Sequence, residues 1–483
     1  MDNLKAQGIR SFIWDFAGKL ATQGMGFVVS IFLARLLEPA EFGLIAMVMV
    51  IIGIAAIFTD IGLSGALVQK RRLLAIHYSS VFYFNLLVGT LLTLLVFFSA
   101  SAIADFYNNE RLILLTQVIS ISFVIGAFSS VQSTKLRREL NYALLTKIQF
   151  ISSLIGGVIG VSLAFLGAGV WSLVAMTLFG GIMYNILIWS AAKWTPSLHF
   201  SVKALKSLWA FGFRMFLARL LDTIFIRLDF MIIGKLFNAA TLGFFQRARS
   251  LDEMVAQYSS GSLMNVLFPV LSKVQNDLPR FQNIIIKSLG FICFVVFLLT
   301  GGLYLVSEEL IVLLFGEKWL PSVDYFKIML LSGFAYPVSA LLVNVLSSRG
   351  NSKAFLRLEI YKKILLSITL YFGFMFGIEG YLYALILESI LSVSLNIHYA
   401  SREITIPFFT FAKPMIVQAG VTILAVLITF LLIQDIQAGN FASLMIKGSL
   451  FVLLYLSINW ILKTSSYVFF SEQVSPLLRK IFK

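Results

Sequence analysis

Eleven charged side chains stand inside stretches that are otherwise apolar: Asp15, Lys19, Asp60, Arg219, Asp222, Arg227, Asp229, Arg247, Arg249, Asp252 and Glu253. A charge in hydrocarbon is costly, so such residues face a wet cavity or one another. Arg219, Arg227, Arg247 and Arg249 have the chemistry to grip an oxyanion, because a planar guanidinium meets phosphate oxygens at two points. At 100° per residue, Arg219, Asp222 and Asp229 fall on one helical stripe with Arg227 to its side. Gln246, Arg249, Glu253, Gln257 and Ser260 fall on a second, and Asp15, Lys19, Thr22 and Gly26 on a third. Asp15/Lys19, Arg219/Asp222 and Arg249/Glu253 are also spaced i,i+3 or i,i+4, which suits local ion pairs. Both readings stay open: cavity residues that touch an anion, or acids and bases that hold each other. Glu388, alone in its apolar stretch, reads equally as a packing contact or as a coupling-ion site.

The elements that carry these charges are membrane helices. Of 483 residues, 59% are hydrophobic and 13% charged, whereas soluble domains hold about 25% charged residues. Mean hydropathy is +0.92. A bilayer-crossing helix needs about 20 mostly apolar residues. Fourteen such spans are expected, at 12–36, 41–68, 79–104, 113–134, 144–166, 169–193, 208–234, 241–270, 283–306, 323–346, 355–377, 379–401, 411–434 and 441–463. The net charge of +15 does not form a nucleic-acid patch. It collects in alternate loops, such as Lys70–Arg72, Lys135–Arg138 and Arg349–Lys363, whereas the other loops hold only Arg35, Arg111, Lys235 and Lys318. The basic side is therefore cytoplasmic and both termini lie there. No removable signal peptide is expected at the start of the sequence.

The charged spans recur in a pattern. Ala34–Gly43 aligns without a gap with Gly234–Gly243, at an offset of 200. Gly169–Leu173 answers Gly380–Ala384, and Arg138 answers Arg349, at an offset of 211. An even number of spans separates the copies, so the halves are parallel repeats about an axis along the membrane normal. The expected fold is all-α and polytopic: a lobe of six helices in residues 1–200, a second in 201–405, and two added helices with a cytoplasmic tail in 406–483. The first two helices of each lobe carry the polar faces and would enclose a cleft.

Several activities lack their residues. There is no G-x-x-x-x-G-K-[ST] phosphate loop, so ATP hydrolysis is not expected. His77, His199 and His398 are scattered, and no metal cluster or nucleophilic triad is visible. Cys293 is a lone cysteine in an apolar run, expected to be filler. Gly156/Gly160 and Gly373/Gly377 suit small-residue helix packing. The longest outer connection runs only from Ser307 to Asp324, and its stretch Glu308–Trp319 suits the membrane interface. That leaves no outer domain for a glycosyltransferase or polymerase, and the chain reads as a non-enzyme.

The segments FLARLLEPAEFGLIAMV, TDIGLSGALVQ, TLGFFQRARSLDEM and NVLFPVLSKVQND resemble the polysaccharide-transport branch of the multidrug/oligosaccharidyl-lipid/polysaccharide exporters. That branch contains the Wzx-type O-antigen flippases and the colanic acid exporter, and the resemblance covers about residues 8–400. It implies a MATE-like fold and a flippase for polyprenyl-pyrophosphate-linked oligosaccharides in the bacterial cytoplasmic (inner) membrane, serving lipopolysaccharide or other surface polysaccharide. It implies alternating access around a cavity lined by helices 1, 2, 7 and 8. The arginines that correspond to the family's cavity cations are Arg219, Arg227, Arg247 and Arg249. Membrane lipids, a polymerase and glycosyltransferases are the implied partners. No cofactor is expected beyond a coupling proton or sodium ion, for which no site transfers. The alternatives are a cation-coupled drug exporter of the same fold, which the arginines disfavour, and a lipid II flippase.

Overall fold

The computed structural model describes residues 2–434 and 439–471, and of residues 2–17, 19, 257–266, 268 and 269 the backbone alone. The described chain is helical without strands. Its helices are α1 (Asp2–Leu36), α2 (Pro39–Ala56), α3 (Leu63–Gln69), α4 (Ala75–Phe98), α5 (Ala100–Tyr107), α6 (Leu112–Ser120), α7 (Ser122–Arg138), α8 (Tyr142–Phe165), α9 (Trp171–Ala192) and α10 (Val202–Leu236). They continue as α11 (Ala239–Lys273), α12 (Leu278–Leu305), α13 (Ser307–Phe315), α14 (Pro321–Ser332), α15 (Ala335–Ser348), α16 (Ser352–Phe374), α17 (Gly377–Ile404), α18 (Phe408–Ile433) and α19 (Asn440–Ile461). Each of the fourteen expected spans coincides with one helix or a broken pair. Ten spans among the described residues are long and apolar enough to cross a membrane. The others rest on α1, α10, α11 and α16, which fall short because they carry the charges or a polar start. Fourteen crossings are compatible with this architecture.

Packing divides the chain into two compact units, residues 1–246 and 247–483. In the first, α8 lies between α1 and α9, and α10 packs along α2, α3 and α4. Small residues permit the closest approach: an alanine Cβ at Gly156 would stand 2.7 Å from the Met176 carbonyl oxygen, and one at Gly160 2.8 Å from Met176 Cβ. The second small-residue pair behaves differently. Gly373 packs on Tyr381, but Gly377 has open space around it and a φ of +79°, so it makes the turn into α17 as its first residue rather than a helix contact.

In the second unit, the core around Leu271, Phe281, Ile292, Cys293, Val338 and Phe411 joins α11, α12, α15, α17 and α18. Cys293 is fully buried there, as filler. The last two helices are built into this unit. Tyr455 on α19 donates to the Phe294 carbonyl of α12 at 2.9 Å and to Gln418 Oε1 of α18 at 2.5 Å. Gln418 in turn donates to Asn459 Oδ1 at 2.8 Å. A fully bonded polar cluster inside an apolar bundle fixes one arrangement of its helices, since every alternative strands a buried polar group.

The stretch Glu308–Trp319 folds as most of α13 followed by a 3-10 turn at Glu317–Trp319. Glu309 on α13 accepts a hydrogen bond from Ser443 Oγ at 2.8 Å and another from Lys447, both on α19. Burial pushes the Glu309 carboxyl up, but these donors outweigh it and hold it below the ordinary carboxylate value of 4.5. A depressed pKa gives stability that is complete above the unfolded value and lost as pH falls through the folded one. Glu309→Gln is therefore expected to lower the melting temperature of the purified protein by about 2–4 °C at neutral pH. The gap between variant and wild type should close as pH is taken well below 4.5.

The same device closes the C-terminal end of the second expected helix in each six-helix repeat. Arg138 on α7 donates to the Leu67 carbonyl at 2.6 Å and to the Arg71 carbonyl at 3.1 Å, closing the end of α3. Arg349 donates to the Gln275 carbonyl just after α11 and meets Glu403 at 3.7 Å. Asn141 and Asn351 then cap α8 and α16, accepting from Leu144 N–H at 3.3 Å and Ala354 N–H at 3.1 Å. Hydrogen bonds from a charged donor are worth about 1.5–3 kcal/mol each. Arg138→Ala should accordingly speed hydrogen exchange at the amides of 66–71 and leave those of α2 unchanged.

Candidate substrate site

The second expected span is not one helix. α2 ends at Ala56, a 3-10 turn follows at Ile57–Thr59, and α3 starts only at Leu63. Between them Ile61 and Gly62 have φ of +44° and +73°. A β-branched residue in the left-handed region is strained, and such strain gathers at functional sites. Gly62 is required there twice, by its φ and by a contact in which a Cβ would stand 2.2 Å from the Gly212 carbonyl oxygen of α10. A broken helix inside a membrane frees backbone groups and is tolerated where it lines a cavity.

Such a cavity is present. A pocket of about 310 Å³ is lined by Ala56, Ile57, Asp60, Gly62, Phe216, Arg219, Asp222 and Thr223. Arg219 and Asp222 are exposed on α10 and Asp60 is half-buried at the break. Asp60 is held firmly: its Oδ1 accepts from Ser64 N–H at 2.9 Å and from Ser64 Oγ at 2.7 Å, which caps α3. Two turns along α10, Arg227 lies against α2, with its Nε 3.5 Å from where a Cβ on Gly53 would be. Asp229 is buried and accepts from the N–H of Phe230 at 2.8 Å. The structure thus gathers Asp60, Arg219 and Asp222 around one pocket, with Arg227 in the same α2–α10 seam.

The remaining charges have other surroundings. Arg247 is 6% exposed, and its guanidinium lies 4.6 Å from the Phe315 ring centroid and 4.9 Å from that of Trp319. These two rings hold a desolvated cation by its attraction to their faces. Arg249 meets Glu253 at 3.2 Å, the local ion pair that the spacing suggested, and Asp252 at 4.0 Å. The Asp15, Lys19, Gln257 and Ser260 side chains lie outside the described residues. Among the described residues, no group of three or more His, Cys, Asp or Glu is placed to hold a metal. Glu388 accepts from Ser392 Oγ at 2.8 Å.

Sequence reasoning missed the helix break, although Asp60-Ile61-Gly62 is a turn signal. It also missed Asn85, which is fully buried on α4 and reaches Asp60 Oδ1 at 3.4 Å and Ser130 Oγ at 3.0 Å. A single Asn in an apolar helix was the available sign. The rings around Arg247 come from a distant part of the chain and left no local trace.

The helical architecture and the charged pocket at a helix break define a multi-pass membrane protein with a transporter fold. The chain superposes on the lipid II flippase MurJ in its inward closed conformation with a TM-score of 0.74 and 15% identity, over 96% of this chain and 100% of that one. An inward-facing MATE family multidrug resistance transporter superposes with a TM-score of 0.63 and 14% identity, over 80% and 94%. These likenesses establish the fold. The chain belongs to the polysaccharide biosynthesis protein family, whose model matches residues 32–324. It is 26% identical over 335 residues to the succinoglycan biosynthesis transport protein ExoT of Rhizobium meliloti, a stretch covering 69% of this chain and 65% of ExoT.

Proposed function

We propose that this protein is a flippase that carries a polyprenyl-pyrophosphate-linked oligosaccharide across the cytoplasmic membrane for surface polysaccharide synthesis. The observation that carries the reading is the pocket at the break of the second helix, with Arg219 in it and Arg227 beside it, in a chain of this family. Two arginines in one seam suit the two phosphates, which are oxyanions best met by planar forks. The sugar stays in water and the prenyl tail in lipid. The six-helix repeats, 1–200 and 201–405, alternate the access of the cleft, while 406–483 supplies the two added helices. Both termini face the cytoplasm. Glycosyltransferases supply the lipid-linked sugar and a polymerase consumes it. The protein breaks no bond, and the aromatic surroundings of Arg247 suit a structural role.

Deletion of the gene should remove the surface polymer and accumulate the lipid-linked repeat in the inner leaflet, and re-expression should reverse both. Restored resistance to cationic dyes with no change in surface polymer would instead identify a drug exporter.

A further inference from the structure

The polar stripe of α1, Asp15, Lys19, Thr22 and Gly26, takes no part in the pocket at the helix break. Ser30 and Leu33 prolong that stripe, within about 40° of Gly26 at 100° per residue. Gly26, Ser30 and Leu33 all line a second, larger cavity of about 530 Å³ between α1, α7, α8 and α9. Small-ligand sites measure roughly 300–1,000 Å³. The cavity shares no lining residue with the pocket at Arg219. Gly26 and Gly126 open its wall, since a Cβ on either meets nothing within 4 Å.

The lining is polar without charge. Nine of its twenty described residues carry a hydroxyl or a side-chain amide, and none of the twenty is acidic or basic. Much of the donor capacity is already spent inside the protein. Ser129 Oγ donates to the Gly126 carbonyl at 3.1 Å, Ser152 Oγ to that of Ile148 at 2.7 Å, and Thr177 Oγ1 to that of Leu173 at 2.9 Å. Gln149 donates to Ser153 Oγ at 3.3 Å. The Asn185 amide nitrogen donates to the carbonyls of Ile125 at 2.8 Å and Gly181 at 3.0 Å. Both of its partners are carbonyls, so the amide cannot be turned, and its Oδ1 is buried with no hydrogen-bond partner among the described residues. A hydroxyl that donates keeps lone pairs to accept with, so the cavity presents acceptors in excess. A buried acceptor left unpaired is costly, and a ligand that brings several donors removes that cost.

The charge of a ligand decides which donors qualify. A cation finds no carboxylate in the lining to balance it, and an unbalanced charge at this depth is costly. A pyrophosphate brings charge and acceptors where acceptors already abound. A sugar ring brings several O–H donors, fixed in direction and free of charge. We propose that this cavity is a specificity site that binds one uncharged sugar of the lipid-linked head. The inference deepens the proposed function and rests on it: one sugar exchanges its water for the acceptors around Ser129 and Asn185. The two pockets then recognise different parts of the head, Arg219 the pyrophosphate and this cavity the sugar. A site built to pair with hydroxyls discriminates strongly against a sugar that lacks one of them in place, because Asn185 Oδ1 is then left unpaired.

The test uses two lipids: the lipid-linked repeat extracted from cells that lack the gene, and polyprenyl pyrophosphate without sugar. Ser153→Cys places a thiol in the cavity and Thr223→Cys places one in the pocket at Arg219. Cys293 is fully buried, so a water-soluble maleimide added to the purified full chain reports the new thiols. At about ten times its Kd, the repeat should slow labelling at both positions about tenfold, since only unoccupied protein reacts. The sugar-free lipid should slow Thr223→Cys alone. Gly126→Leu fills the cavity from an open backbone position, and should weaken binding of the repeat to the level of the sugar-free lipid. Ser122→Cys, also in the cavity, repeats the measurement if Ser153→Cys folds poorly. A cavity thiol that labels at full rate while the repeat protects Thr223→Cys would overturn the sugar site and leave the flippase reading standing. Equal protection of the cavity thiol by the sugar-free lipid would overturn it too, since phosphate or prenyl chain would then be the occupant. Protection at neither position would overturn the flippase reading and the sugar site with it. Protection of the cavity thiol alone would keep the sugar site and remove the pyrophosphate from Arg219.

Discussion

Gly43→Ala and Gly243→Ala are each expected to destabilise the protein by about 1–3 kcal/mol, and Gly43→Val to keep it from accumulating in the membrane. These glycines answer each other at an offset of 200, and so do the residues they touch. A Cβ on Gly43 would stand 1.7 Å from the Ala239 carbonyl oxygen, and one on Gly243 1.9 Å from the Pro39 carbonyl oxygen. Both contacts are to backbone in the first turn of a helix, so no rotamer change can relieve them. The turns themselves are tied down. Glu41 accepts from the N–H of Glu38 at 2.9 Å before α2, and Asn238 accepts from the N–H of Thr241 at 2.8 Å before α11. Gly26 gives the contrast, because a Cβ there meets nothing within 4 Å. Gly26→Ala should be neutral, or stabilising by about 0.5–1 kcal/mol through its better helix propensity. Thermal unfolding monitored by size-exclusion fluorescence separates these outcomes. Unchanged stability in Gly43→Ala would mean that α2 and α11 part more readily than their contact suggests.

Arg219→Ala should reduce surface polymer by about 100-fold at normal protein level, because two charge-assisted hydrogen bonds to phosphate are lost, each worth about 1.5–3 kcal/mol. Arg219→Lys keeps the charge and loses the fork, so it should retain a small fraction of transport. Arg219 is exposed and lines the pocket, so its truncation should leave stability within about 0.5 kcal/mol of wild type. Arg247→Ala should behave in the opposite way. It empties the space over Phe315 and Trp319 and should cost stability first. Polymer output and melting temperature, measured on the same four proteins, distinguish a binding arginine from a structural one.

The parts of this fold that depend on local composition were legible. Apolar runs located the helices, and the charges in α10 and α11 marked them as unusual before any contact was known. The repeat was visible in Ala34–Gly43 and Gly234–Gly243, and the reciprocal packing of Gly43 and Gly243 gives that match a physical reason. Arg138 and Arg349 were paired by position, and each proves to close the C-terminal end of a helix. The parts that depend on long-range contact were hidden. Hydropathy averages over a window and passes straight through Ile61 and Gly62, where two left-handed residues break the span. Arg247 and Arg249 are near neighbours in sequence with the same chemistry. One lies between aromatic rings from α13 and the turn after it, and the other pairs with acids of its own helix. Nothing local separates these fates. The tie of α18 and α19 to α12 was likewise unreadable, since Gln418, Tyr455 and Asn459 are ordinary single polar residues until they meet.

The central claim is transport of a pyrophosphate-linked sugar lipid, and a vesicle assay tests it most directly. Purified protein is reconstituted into liposomes that carry a labelled polyprenyl-pyrophosphate oligosaccharide, and the fraction reached by an added, impermeant sugar-modifying enzyme is followed in time. In protein-free vesicles about half the label stays protected in the inner leaflet, since spontaneous passage of a charged head group through hydrocarbon is very slow. Wild-type protein should expose nearly all of it, and Arg219→Ala should leave the protected half in place. A wild-type protein that leaves the protected fraction unchanged for several such lipids, while moving a cationic dye, would contradict the account.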